Sequence, residues 1–361
     1  MSKAAELASL IGNINAGGGG VNRNLVINGN MSVSQRATSV ASITGAGYKV
    51  LDRHRLGGAV PGTWTWSQST TVPSGQGFAN SMKLDCTATG SADTMYIQHR
   101  MEGQNLQGFA KGTSDAKPFS LSFWVRSNKT GTYIATLLDN DNTRHVSKSY
   151  TISSANTWEH KKITFPADTS GALNNDNGPS LEIYLWLSAN SNNSSGTLAT
   201  TWASVTNANN AVGQVNLADD VANEWYLTGL QLEVGQNATE FEHEPFATTL
   251  HKCERYFQKW DLETAVGTGL WFSANQVLGH LELRQNMCNE PTMSVSSADF
   301  VKGYLAAGAS DANDSSSPFD LLSTISCRFN LAMVSTGTNG QGCLIQMKAS
   351  EYIHADAEVG T

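Results

Sequence analysis

The sequence predicts a mostly β protein of the sandwich or jelly-roll type, and three observations carry that expectation. Charged residues make up only 15% of the chain, where soluble domains use ~25%. The helix formers Glu, Lys and Arg are therefore scarce, which disfavours an all-α fold. Their place is taken by Ser, Thr, Asn and 33 Gly, the residues of turns. Between those turns, apolar residues recur with the period of half-buried strands. Nine Trp supply bulk for a core, which excludes wholesale disorder. A length of 361 residues suits two domains at roughly 150 residues each.

The chain opens on a short helix over 1–16, with Ala4, Leu7, Ala8, Ile11 and Ile14 on one face, Ser2 as cap and Glu6 in the first turn. So short a helix is marginal alone in water, and its face Leu7, Ile11, Ile14 reads as an anchor docking into another protein. Four consecutive glycines, Gly17 to Gly20, make 17–23 a flexible linker; no Lys-Ser/Thr follows them to make a phosphate loop.

From 24 to 247 strand follows strand. Leu25 to Ile27 meets the turn pair Asn28-Gly29, and Met31, Val33 and Gln35 alternate after it. Trp64-Thr65-Trp66-Ser67-Gln68 places both Trp on one face. Phe119 to Val125, Tyr133 to Leu138, Ile163 to Phe165, Leu181 to Leu187 and Trp225 to Glu233 read likewise. Phe119, Leu121, Phe123 and Val125 form one core stripe; Leu230, Leu232 and Val234 form another, opposite Gln231 and Glu233. Asx-rich turns separate the strands, and 190–223 is a long polar excursion. A propeller or solenoid is disfavoured because no repeat is present. Pro245 marks a boundary. Thr248 to Trp260 then reads as a connecting helix, and 261–361 returns to β-like sequence. The second domain is thus 248–361.

Charge and cysteines exclude several classes. The net charge is −8 and the densest basic stretch is only Asp52-Arg53-His54-Arg55, so no nucleic-acid footprint is present. No apolar run of ~18 residues exists for membrane insertion. Met1 to Ile14 lacks the pattern of a secretory signal. Cys86, Cys253, Cys288, Cys327 and Cys343 are odd in number and contain no C-x-x-C. They read as buried free thiols in a chain made in a reducing cytoplasm.

Four stretches resemble one family. Asn24-Leu25-Val26-Ile27-Asn28-Gly29-Asn30-Met31-Ser32-Val33-Ser34-Gln35-Arg36 is similar to the opening of tail-fibre-like virion proteins of bacteriophages, notably marine ones. Tyr48 to Arg55, Phe119 to Ser127 and Tyr226 to Gly235 resemble further segments of that family, the last running into Ala238 to His243 and Cys253 to Phe257. The matches span 24–257 in the family's order. His54 and Glu240 depart from it, standing where the family usually has Trp and often has Pro. The resemblance implies a jelly roll of carbohydrate-binding-module type, with no fixed catalytic group. The expected architecture is a mostly β jelly-roll sandwich with a short N-terminal helix, a connecting helix and a smaller C-terminal β-domain.

Catalytic signatures are missing: there is no H-E-x-x-H and no G-x-S-x-G. Asp139/Asp141 and Asp219/Asp220 read as turn or solvated residues, although glycoside hydrolysis does use carboxylate pairs. Asp139 and Asp141 are weak candidates for a hard cation, lacking the EF-hand Gly and Glu. No cofactor is expected. Glycan binding needs aromatic platforms beside amides. Trp64, Trp66, Trp202 and Trp271 are the candidates, having polar or Gly neighbours.

The expected function is that of a non-enzymatic virion protein, a phage tail fibre or fibre-like appendage for host attachment and receptor binding. It would contact other tail or capsid proteins through its N-terminus, assemble as a homotrimer as the resemblance implies, and hold host-surface glycan. The competing readings are a capsid decoration protein and a glycan-degrading tailspike enzyme.

Overall fold

The computed structural model describes residues 3–4, 23–305, 308–312 and 318–359. The expected anchor face Leu7, Ile11, Ile14 and the glycine linker at 17–22 lie outside the described residues. The chain divides into two compact units, one up to Leu250 and one from His251.

The first unit is a jelly-roll sandwich of two six-stranded antiparallel sheets. One sheet runs β1 (Ser39–Ile43), β3 (Thr63–Ser69), β4 (Ser81–Ala88), β12 (Glu224–Val234), β6 (Phe119–Ser127), β9 (Glu159–Phe165). The other runs β11 (Ala203–Ser204), β8 (Arg144–Ile152), β7 (Gly131–Asp139), β10 (Pro179–Ser188), β5 (Met95–Glu102), β2 (Arg55–Gly58). β12 is inserted between β4 and β6, and β10 between β5 and β7. The chain passes repeatedly between sheets and wraps one core. Phe119, Leu121, Phe123 and Val125 are fully buried there with Leu137, Ile183 and Leu185 of the facing sheet, as period-2 alternation requires.

Two segments depart from the expected strands. Residues 24–35 form a clamped loop. The Asn28 side chain donates to the carbonyls of Val33 (2.8 Å) and Asp52 (3.0 Å) and accepts from the Val33 amide (2.9 Å). Asn28 and Met31 adopt left-handed backbone, which stops a strand. A Cβ at Gly29 would lie 2.0 Å from the Leu230 carbonyl oxygen, so the backbone approach requires glycine. Val26, Met31 and Val33 are buried by this loop. On β12, Gln231 and Glu233 are as buried as their apolar neighbours. Segment 236–242 covers them: Thr239 donates to Glu233 through its amide (2.7 Å), and the Glu242 amide donates to Gln231 (2.9 Å).

Two α-helices are described, α1 (Ser191–Ser194) and α2 (Phe246–Glu254). The connecting helix is shorter than the expected Thr248 to Trp260. Phe257–Trp260 is instead β13, paired with β22 (Ile353–Asp356). Phe257 and Trp260 fit helical spacing, but the ladder with β22 overrides that local signal. The second unit holds a three-stranded sheet, β13, β22 and β16 (Thr292–Val295). It also has a seven-stranded sheet that includes β14 (Ala265–Ser273), β15 (Gln276–Glu282) and β21 (Gly342–Met347). All five cysteines are buried thiols, none in a disulfide.

Candidate functional site

The sheet containing β10 buries its odd-numbered side chains on that strand and on β5 in the core, so even-numbered ones form its outer face. Register sets these outward residues in rows. Gly57 pairs with Tyr96, and Tyr96 with Trp186. The next row is Arg55, Gln98, Tyr184, Thr136 and Ser147. The third is Arg100, Glu182, Leu138 and His145. Aromatic, amide and charged groups therefore alternate across one face.

Over this face lies a cleft of about 230 Å³. Tyr96, Tyr184 and Trp186 form its aromatic wall, with the two Tyr rings stacked at 4.2 Å between centroids and Tyr96 5.0 Å from Trp186. Gly57 makes room for that arrangement: a Cβ there would lie 2.2 Å from Tyr96 Cε2. Trp186 is buried and is fixed by Nε1 donating to Thr136 Oγ1 at 3.0 Å; Tyr96 and Tyr184 are half-buried. Burial raises both tyrosine pKa values, and for Tyr184 the Glu182 charge adds to it. Both hydroxyls accordingly stay protonated and can donate.

The opposite wall comes from the polar excursion after β10. Asn193, Asn207 and Asn210 line the cleft with Val205. The segment is tied to the sheet by Ser147 N donating to the Ala199 carbonyl (2.7 Å) and Val205 N to that of Thr143 (2.9 Å). His145 Nδ1 lies 2.6 Å from Asn210 Oδ1. Burial lowers the His145 pKa, against the raising effect of Asn210, so a neutral imidazole holds the amide. Apolar ring faces beside amides suit a ligand with C–H faces and hydroxyl edges.

Beyond the tyrosines the face turns polar. Gln98 donates to Glu182 and, at 3.3 Å, to the Tyr184 hydroxyl. Glu182 also pairs with Arg100 (3.1 Å) and accepts from Asn140 (2.7 Å). Arg55 Nη1 donates to Gln98 Oε1 at 3.0 Å.

The residues expected to bind glycan lie elsewhere. Trp64 and Trp66 are wholly buried: their shared face is the inward one, and Thr65 and Ser67 point out. Trp271 is wholly buried too, with Gly337 so near that a Cβ would sit 2.2 Å from its ring; the exposed aromatic of that strand is Phe272. Trp202 is half-buried. Its Nε1 donates to the Pro166 carbonyl (2.8 Å), and its ring lies 5.0 Å from Lys111 Nζ. None of the four lines the cleft. Tyr184 and Trp186 were visible only as part of a strand. Their alternation with Ile183, Leu185 and Leu187 makes residues 183–187 an unbroken apolar run, and that is the available signal.

The two candidate cation ligands serve separate partners. Asp139 is buried against Lys111 Nζ (2.5 Å), and Asp141 accepts from Asn174 N (2.9 Å) and Nδ2 (3.0 Å). Lys111 also meets Asp168 (3.0 Å) and the carbonyls of Ser170 (3.0 Å) and Gly171 (2.8 Å). An ammonium thus sits among the oxygens that a cation would take. Among the described residues, no group of three or more His, Cys, Asp and Glu is placed to hold a metal. No helix among them is long and apolar enough to cross a membrane.

No family model matches the chain, and no curated protein matches it. Solved structures do. One is the enzymatically active domain of tailspike protein 4 of bacteriophage CBA120 (15% identity, TM-score 0.32), covering 59% of this chain and 21% of that one. Another is TmCBM61 in complex with β-1,4-galactotriose (8% identity, TM-score 0.30), covering 59% of this chain and 99% of that one. A third is the xylan-binding domain from CBM 22 (10% identity, TM-score 0.29), covering 55% and 96%. The match therefore spans about a fifth of the length of that solved tailspike domain.

Proposed function

We propose that the first unit is a glycan-binding module and that the protein is a non-enzymatic virion component, a phage tail fibre or fibre-like appendage that holds host-surface polysaccharide. One observation carries the binding reading: the cleft sets Tyr96, Tyr184 and Trp186 against Asn193, Asn207 and Asn210. Sugar rings pack on aromatic faces while amides and phenols meet the hydroxyls. The non-enzymatic reading draws on Glu182, the carboxylate of this face. It is engaged by Arg100, Gln98 and Asn140, an arrangement suited to structure rather than proton transfer. The virion reading draws on the tail-fibre-like motifs along 24–257. Anchorage through 1–16 and trimerisation through 253–361 belong to the same proposal, with several copies giving avidity to weak single sites.

Affinity electrophoresis through host-envelope polysaccharide tests the reading. Wild-type protein is retarded, Tyr96→Ala/Tyr184→Ala migrates freely, and no reducing ends are released on long incubation. Unchanged retardation of the double variant would sink the cleft assignment. Fragment release abolished by one Asp or Glu substitution would instead establish a tailspike enzyme.

A further inference from the structure

The row that crosses the cleft face through Tyr184 ends at Arg55 on the edge strand β2. Arg55 stands two strands from Tyr184, about 10 Å at the usual interstrand spacing, and its guanidinium reaches Gln98, the residue between them in the row. That places it beside the aromatic wall, within a short oligosaccharide's reach. Its charge also acts on the Tyr96 hydroxyl.

What distinguishes Arg55 is its pairing. On the same sheet, Arg100 pairs with Glu182, and Arg144 holds Asp168 with two hydrogen bonds of 2.8 and 2.9 Å. Arg55 is half-buried, and among the described residues the one hydrogen bond of its side chain is to the neutral Gln98 side chain. Gln98 in turn reaches Tyr184, so the guanidinium is held in register with the cleft while Nε and Nη2 keep their donors free. A planar fork of this kind is the residue type suited to a carboxylate or sulfate. The chain's net charge of −8 opposes anionic ligands at long range. Screening over about 8 Å at physiological salt leaves the local guanidinium to decide.

We propose that the cleft takes an acidic glycan, with the ring of one sugar against Tyr96 and Tyr184 and the anionic substituent of that sugar or its neighbour paired to Arg55. This rests on the glycan-binding reading above and adds the class of sugar. The charge-bearing group is a carboxylate or a sulfate, and the probes separate the two.

Binding of the full chain to polygalacturonate, a sulfated galactan and a neutral galactan is measured by calorimetry at physiological salt. Wild-type protein should favour at least one acidic polymer at least tenfold over the neutral one, and the preferred polymer identifies the anion. Arg55→Gln should lose that preference, with the neutral polymer bound as before. Arg55→Lys should recover only part of it, because an ammonium keeps the charge without the fork. Equal binding of all three polymers by wild type, or an acidic preference that survives Arg55→Gln, overturns the proposal while leaving the glycan reading intact. Failure to bind any polymer, with Tyr96→Ala/Tyr184→Ala also indistinguishable from wild type on host polysaccharide, overturns both.

Discussion

Replacing Lys111 with Met tests the cage under Trp202. Lys111 and Asp139 are almost wholly buried and Asp168 nearly so. The ammonium is held by both carboxylates and by the Ser170 and Gly171 carbonyls. Met keeps most of the apolar stem and removes only the charge, leaving Asp168 bound to Arg144 and Asp139 buried with only the neutral donors of Asn142 (3.0 Å from N and from Nδ2). Breaking a buried ion pair from one side costs about 3–5 kcal/mol. In a unit of this size each kcal/mol shifts the midpoint by about 2–4 °C, so thermal unfolding should move down by about 6–20 °C. Tryptophan fluorescence reports it, since Trp202 covers the cage. The deficit should shrink in acid. Burial alone would raise the Asp168 pKa, but hydrogen bonds from Arg144 and Lys111 outweigh it and hold the folded value below the ordinary 3.8. In wild type that contribution is present above the ordinary value and is lost as pH falls through the lowered one. The variant, lacking one of these donors, has less to lose. Adding Asp139→Asn should restore part of the midpoint at neutral pH. A single variant melting within about 2 °C of wild type would refute this account of the cage.

Two other perturbations have definite outcomes. Gly57→Ala should displace the Tyr96 ring, with which its Cβ collides, weakening glycan retention at least tenfold while the melting midpoint stays nearly constant; retention at wild-type strength would show that the ring position is irrelevant. His54 and His99 lie 5.3 Å apart and fully buried. Burial, joined by the Arg53 charge, lowers His54 to about 4 and His99 well below 6.5. The unfolded chain takes up these protons near pH 6.5 and the folded one does not. Stability should therefore fall on going from pH 7 to pH 5, by roughly 1 kcal/mol per pH unit per histidine. Urea midpoints measured at both values check this, and His54→Phe should flatten the slope.

Alternation made the sandwich legible in the sequence, and it misled at the site for the same reason. Trp64 and Trp66 share a face, but period 2 says nothing about which face is inside. Their polar neighbours were simply the outward residues of an inward-facing pair. On β10 the outward Tyr184 and Trp186 alternate with the inward Ile183, Leu185 and Leu187, an unbroken apolar run that marks a strand and does not mark either aromatic as part of a surface site. The cleft became visible only when register placed Tyr96 beside Trp186 and the polar excursion folded over them. No local pattern announces a contact between Asn210 and His145, which stand 65 residues apart. The motif around Asn28-Gly29 reads in the sequence as a plain turn between strands, because its partners Asp52 and Leu230 lie far along the chain, Asp52 being 24 residues from Asn28.

Every residue of the cleft's amide wall comes from one stretch of chain between β10 and β12. Asn193, Val205, Asn207 and Asn210 lie within it, and it crosslinks itself through Gly196 N to Ala208 O and Ala211 N to Asn193 O. The aromatic wall belongs to the strands and stands on the outer face of their sheet. On the proposed glycan-binding function, ligand choice and fold would then fall to separable parts of the sequence, and exchanging the stretch as a cassette would alter which hydroxyls are read while the aromatic platform persists. The same division offers an engineering route, in which libraries confined to this stretch retarget the module without rebuilding it.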